Sequence, residues 1–131
     1  MTDTQSAEEP FDWTDLFELA KELAQREDEA SLRCSVSRSY YAVFNIAREV
    51  LADLDPDYRA MRSKDSHKQV WDRMRALPQR QARTAERSGR SLLGKRKTAD
   101  YVPHAGDWTK LTQQSLEEAK RAISALKDLT D

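Results

Sequence analysis

Apolar residues recur at helical spacing along most of this chain, broken by short polar stretches that carry Pro or Gly. Leu16, Leu19, Ala20 and Leu23 follow the i, i+3, i+4, i+7 rhythm of one buried stripe. Pro10 and Asp12 open that first helix, with Asp12 placed to act as its N-cap. The strongest periodicity comes next. Leu32, Val36, Tyr40, Val43, Ala47, Val50 and Leu54 advance by steps of four or three, a heptad-like seam. Tyr41 and Phe44 widen that seam, while Ser35, Ser37 and Ser39 are small and allow a neighbouring helix to approach closely. The acidic run Glu27-Asp28-Glu29 suits the positive end of the helix dipole, and Pro56, within Asp53 to Asp57, stops the helix.

Ser66-His67-Lys68-Gln69 fits a capping box, with Gln69 reaching back to the Ser66 amide. Val70, Met74 and Leu77 give a short third stripe that ends at Pro78. From Gln79 to about Ala99 the small or apolar positions Ala82, Ala85, Gly89, Leu92 and Ala99 again keep heptad spacing. Gly89 and Gly94 each weaken such a helix by about 1 kcal/mol relative to Ala, which predicts a bend. Tyr101-Val102-Pro103 and Gly106 mark a turn, and Asp107 caps a last helix with Trp108, Leu111, Ser115, Ala119, Ala122, Leu126 and Leu129 on its stripe. The expected fold is all-α, an up-and-down bundle of four to five helices over residues 11–131, after a disordered polar lead of residues 1–10.

Composition agrees with that reading. The chain has 131 residues, only three Gly and four Pro. Its mean hydropathy is −0.87. No apolar run is long enough for a membrane span and no secretory signal is evident, so a cytoplasmic protein is expected. Cys34 is the lone cysteine; it is expected to be buried and structural, although Arg33 beside it allows a lowered thiol pKa. The net charge of −1 conceals a strong polarity. Between Arg59 and Lys97 lie thirteen basic residues and three acidic ones, and the rest of the chain is correspondingly acidic. A stretch of this kind attracts a polyanion, or else forms a solvated face paired with acidic helices elsewhere. Arg80, Arg83, Arg87, Arg90, Lys95 and Lys97 are the candidate nucleic-acid contacts.

No metal site or other cofactor is expected. His67 and His104 are far apart in sequence, no His-x-x-x-His or Glu-x-x-His pair exists, and the glycines are too scattered for a phosphate loop. The segment from Lys95 to His104 is richer, with cations, a carboxylate, a phenol and an imidazole together. Arg96 and His104 in such a set suit metal-independent cleavage of RNA: the imidazole takes the 2′-hydroxyl proton and the guanidinium stabilises charge on phosphorus. The alternative is that His104 sits in an exposed turn and the cations complement a helix C-terminus.

Ser37-Arg38-Ser39-Tyr40-Tyr41-Ala42-Val43-Phe44, Ser66-His67 and Arg96-Lys97-Thr98-Ala99-Asp100-Tyr101 together resemble the HEPN superfamily, the higher eukaryotes and prokaryotes nucleotide-binding proteins. The resemblance spans roughly residues 12–128. It implies an all-α bundle that usually forms a homodimer, acts on RNA or nucleotides in bacterial toxin–antitoxin or defence-type systems, and often works with a nucleotidyltransferase-like antitoxin partner. The family's active motif is an Arg followed, after four to six residues, by a His. Here seven residues separate Arg96 from His104, closer to the branch carrying Arg-x-x-Ala-Asp-Tyr, which lacks that His. The resemblance therefore implies a module whose own nuclease activity is weak or lost. An active endoribonuclease using Arg96 and His104, and a non-catalytic module binding an acidic protein, remain the alternatives. In some members a tyrosine near the motif is nucleotidylated by the partner, and Tyr101 holds that place; the alternative is a half-buried aromatic that closes the helix. Tyr40 reads as core, Tyr41 faces a dimer seam or a cleft, and Arg38 either reaches a phosphate or pairs with Asp100.

Overall fold

The computed structural model describes residues 9–63, 65–104 and 106–131, and these contain helices and no strand. Most of the expected disordered lead, residues 1–8, lies outside them. The helices are α1 (Thr14–Ala24), α2 (Glu29–Leu54), α3 (Ser66–Ala76), α4 (Arg80–Tyr101) and α5 (Trp108–Thr130). The long seam read from the sequence is the centre of the bundle: α2 packs against all four other helices, and its positions from Leu32 to Val50 are buried. Its start is capped by Asp28, whose carboxylate accepts the Ser31 N–H at 3.0 Å. Asp107 caps α5 in the same way, accepting from Lys110 N–H at 3.1 Å.

Local expectations fail where tertiary contacts compete with them. In α1 the buried residues are Phe17 and Ala20, while Leu19 is exposed, because it falls outside the arc that faces the bundle. Asp12 accepts from both the backbone N–H and the hydroxyl of Thr14, so it stabilises the first turn from one residue ahead of the cap position, which Trp13 occupies. The capping box does not form. Asp65 takes the N-cap place of α3, and Gln69 instead bridges the preceding loop, accepting from Met61 N–H at 3.1 Å and donating to the Arg59 carbonyl at 2.7 Å. Cys34 is exposed rather than buried, since its neighbours Leu32, Ser35 and Val36 take the inward directions.

α4 runs unbroken through both glycines. Gly89 is there for space: a Cβ on it would lie 2.3 Å from the ring of Trp71, the fully buried indole of α3. Gly94 has nothing within 4 Å of such a position. The apolar core divides into a large cluster, which includes Tyr40, Phe44, Trp71 and Leu92, and a small one of Leu32, Val36, Ala99 and Trp108. Between Leu92 and Ala99 the α4 seam is occupied by Arg96. The small cluster is tied down by Arg33, whose guanidinium donates to the carbonyls of Ala99, Val102 and Pro103 and lies 4.2 Å from the Trp108 ring. These bonds satisfy orphan carbonyls at the C-terminus of α4 and fix the turn that follows.

Candidate functional site

A cleft of about 600 Å³ opens where α2, α3 and α4 meet. Tyr41 lines it from α2, His67 and Trp71 from α3, and Arg96, Lys97 and Tyr101 from α4. Beneath them lies Tyr40, fully buried. The Trp71 indole N–H donates to the Tyr40 hydroxyl oxygen at 3.2 Å, and that hydroxyl is 2.7 Å from His67 Nδ1. The indole only donates, and His67 Nδ1 is the acceptor within reach of the phenol proton; in the tautomer that makes this bond the neutral imidazole carries its own proton on Nε2. Burial pushes the Tyr40 phenol well above its ordinary value, so it keeps that proton. Burial, followed by the charges of Arg96, Lys97 and Arg48, holds the His67 imidazole below its ordinary 6.5. His67 is thus a neutral donor, stacked on Phe44 with 4.4 Å between ring centroids.

Arg96 is the unusual group. Its side chain is only 9% exposed. Its guanidinium carbon lies 5.9, 5.5 and 5.9 Å from the ring centroids of Tyr40, Tyr41 and Tyr101. Asp100 is its carboxylate partner, at a long 3.4 Å, and Nε is buried without an acceptor. A guanidinium this far from water and this loosely paired is costly to the fold, and an incoming anion relieves that cost. Lys97, one residue on, is exposed and makes no ion pair among the described residues. Arg90 and Lys68 on the cleft's rim are different: Arg90 donates to both Glu86 and Asp72, and Lys68 holds the other oxygen of Asp72.

The other residues singled out from the sequence scatter. His104 is exposed in the turn after Pro103 and is not among the residues lining the cleft. Arg38 is exposed and makes no hydrogen bond to Asp100; Ser37 and Arg96 reach that carboxylate instead, each at 3.4 Å. Arg38 starts from the outer side of α2, whereas Ser37 faces inward. Lys95 turns toward α5 and pairs with Glu118 at 2.8 Å. Arg83 and Arg87 line a smaller groove with Arg75, and Arg80 lines a third depression, between α4 and α5. In the sequence His67 stands out as a cap neighbour and as part of the Ser66-His67 segment of the resemblance, with no pattern that places it against Tyr40. The signal for Arg96 lay in the heptad, since a cation stands where the row Ala82, Ala85, Gly89, Leu92, Ala99 calls for a small or apolar residue.

Among the described residues no group of three or more His, Cys, Asp or Glu side chains is arranged to hold a metal ion, and no helix is long and apolar enough to cross a membrane. Comparison with protein-family profiles, curated proteins and solved structures finds no match to this chain.

Proposed function

We propose that this chain is a HEPN-like module that binds RNA or a nucleotide in the α2–α3–α4 cleft, serves a bacterial toxin–antitoxin or defence-type system, and has little or no nuclease activity of its own. The observation that carries the reading is Arg96, buried, ringed by tyrosines and only loosely paired with Asp100. Its guanidinium with Lys97 suits a phosphate, and His67 Nε2–H adds a neutral donor. Tyr101, 74% exposed, and Tyr41 offer aromatic faces on which a base stacks. The motif resemblance supports the class.

The same chemistry argues for binding over cleavage. Proton abstraction from a 2′-hydroxyl needs a free lone pair near the phosphate. With Nδ1 as the acceptor of the Tyr40 hydroxyl, His67 has no lone pair left for that step, and His104 lies outside the cleft. The test is anisotropy of a labelled single-stranded RNA across a salt series, with cleavage followed in EDTA. Binding is expected to weaken with salt, with a log–log slope of about −0.7 per neutralised phosphate. Tyr101→Ala should lose about 1–3 kcal/mol of affinity through the missing stack. Binding that ignores both salt and Tyr101→Ala refutes the reading. Cleavage in EDTA that disappears in both Arg96→Ala and His104→Ala replaces it with the ribonuclease.

A further inference from the structure

α4 carries a second, outward row of cations. Arg80, Arg83, Arg87, Arg90 and Lys97 advance by helical steps, with Gly94 filling the one open place, and every member of the row is exposed. The row lies on the face opposite the buried seam of Ala82, Ala85, Gly89, Leu92, Arg96 and Ala99. At 1.5 Å per residue it runs about 25 Å along the surface. It also links depressions: Arg83 and Arg87, with Arg75 and the Arg90-paired Glu86, line a groove of about 380 Å³, while Arg90 and Lys97 line the cleft. Arg90 in the middle is neutralised by Glu86 and Asp72. Among the described residues Arg75, Arg80, Arg83, Arg87 and Lys97 have no carboxylate partner, so free positive charge is concentrated at two places, the Arg80–Arg87 end of the row and the cleft mouth.

We infer that the ligand is a strand, not a mononucleotide: one nucleotide occupies the cleft and the adjoining phosphates follow the α4 ridge to a second contact at Arg75, Arg83 and Arg87. This deepens the reading of the cleft as an RNA site and rests on it. Arg87 and Lys97 are about 15 Å apart along the helix. With an axial rise of about 3.4 Å per nucleotide in a stacked strand, that gap takes about four nucleotides, fewer if the strand is stretched. A dinucleotide is too short to bridge it and an octanucleotide is long enough. Gly94 keeps the path clear, because no side chain rises between Arg90 and Lys97 on that row.

The experiment compares a labelled uridine dinucleotide with a labelled uridine octanucleotide, on the wild-type chain and on Arg83→Glu/Arg87→Glu, in about 0.1 M salt. Charges more than about 10 Å away are then largely screened, so the dinucleotide reports the cleft alone. The octanucleotide is expected to bind the wild type at least about ten-fold more tightly than it binds the variant, through the added effective concentration of a second contact. Its salt slope should be steeper on the wild type by about 1.4, the release from two phosphates. Dinucleotide affinity should be the same for both proteins. Equal octanucleotide affinity for wild type and variant overturns the inference while leaving the cleft reading intact, provided that the dinucleotide binds. Loss of all RNA binding in the wild type overturns both. An octaglutamate peptide that matches the octanucleotide on the wild type would assign the ridge to an acidic protein and overturn the strand.

Discussion

Arg90 and Arg96 stand less than two turns apart on α4 and line the same cleft, but they belong to different regions of the molecule. Arg90 is on the outward ridge, 39% exposed, and is held between Glu86 and Asp72. Arg96 is on the inward seam, 9% exposed, with tyrosine rings around it and one carboxylate at 3.4 Å. Those two carboxylates favour the charged form of Arg90, with the hydrogen bond to Asp72 the largest contribution. The difference separates structural from receptive charge: a cation whose donors are already matched holds helices together, whereas one with unmatched donors in a dry wall is complementary to something absent from the fold itself.

The comparison breaks most severely if the wall behind Arg96 is removed. Tyr40→Ala deletes a fully buried ring together with the hydroxyl that joins Trp71 to His67, and should cost about 3–5 kcal/mol in urea unfolding. A loss below about 1 kcal/mol would mean that α2 does not bury that face. Next come the glycines. Gly→Ala inside a helix ordinarily stabilises by about 1 kcal/mol, and Gly94→Ala should do so because nothing lies near it. Gly89→Ala should reverse the sign and destabilise by about 1–3 kcal/mol, since the new methyl collides with Trp71. Thermal melts of the pair check both.

The arginines themselves sharpen the contrast. Arg96→Met should leave stability unchanged or raise it by about 1 kcal/mol or more, because a well-packed apolar chain replaces a poorly paired charge, while RNA affinity falls. Arg90→Met should lose about 1 kcal/mol, the modest worth of a partly solvated pair, leaving Glu86 without its partner while Asp72 keeps Lys68. Equal destabilisation by the two variants would erase the distinction drawn between them. The smallest effect is the pH dependence contributed by His67. Its folded pKa is held below 6.5, so above that value folded and unfolded chains are both neutral and stability is at its full level. Below it the unfolded chain takes up the proton first, and stability declines until the folded imidazole titrates as well. His67→Gln should flatten that part of a stability–pH curve; an unchanged curve would show that His67 is not the titrating group.

The bundle was legible in the sequence because its long helices repeat their apolar positions many times, and one displaced residue such as Leu19 does not disturb the pattern. The cleft was legible on its α4 side, where Arg96, Lys97 and Tyr101 follow one another, and at Tyr41 of α2. Its opposite wall depends on α3 meeting α2, which brings His67 to Tyr40 across 27 positions of chain. No local pattern encodes such a meeting. Gln69 shows the same limit in miniature: a capping box satisfies the local rule, but the loop carbonyl of Arg59 and the amide of Met61 were the partners available after folding. Arg38 and Asp100 have opposite charges and motif positions that invite pairing, but Ser37 faces inward and Arg96 is one turn away from Asp100 on its own helix.

Arg33 sets an order of events. Its acceptors Ala99, Val102 and Pro103 lie 66 to 70 residues downstream. The entropy of closing so long a loop is lost before those bonds repay it, so they belong to the slow, late part of folding. On the ribosome, Arg33 is made long before the carbonyls it holds, and a nascent chain shorter than about residue 103 has an unclamped α4 end. The wall that carries Arg96 and Tyr101 therefore takes its final shape late, and a chain arrested part-way through synthesis is helical without a finished cleft.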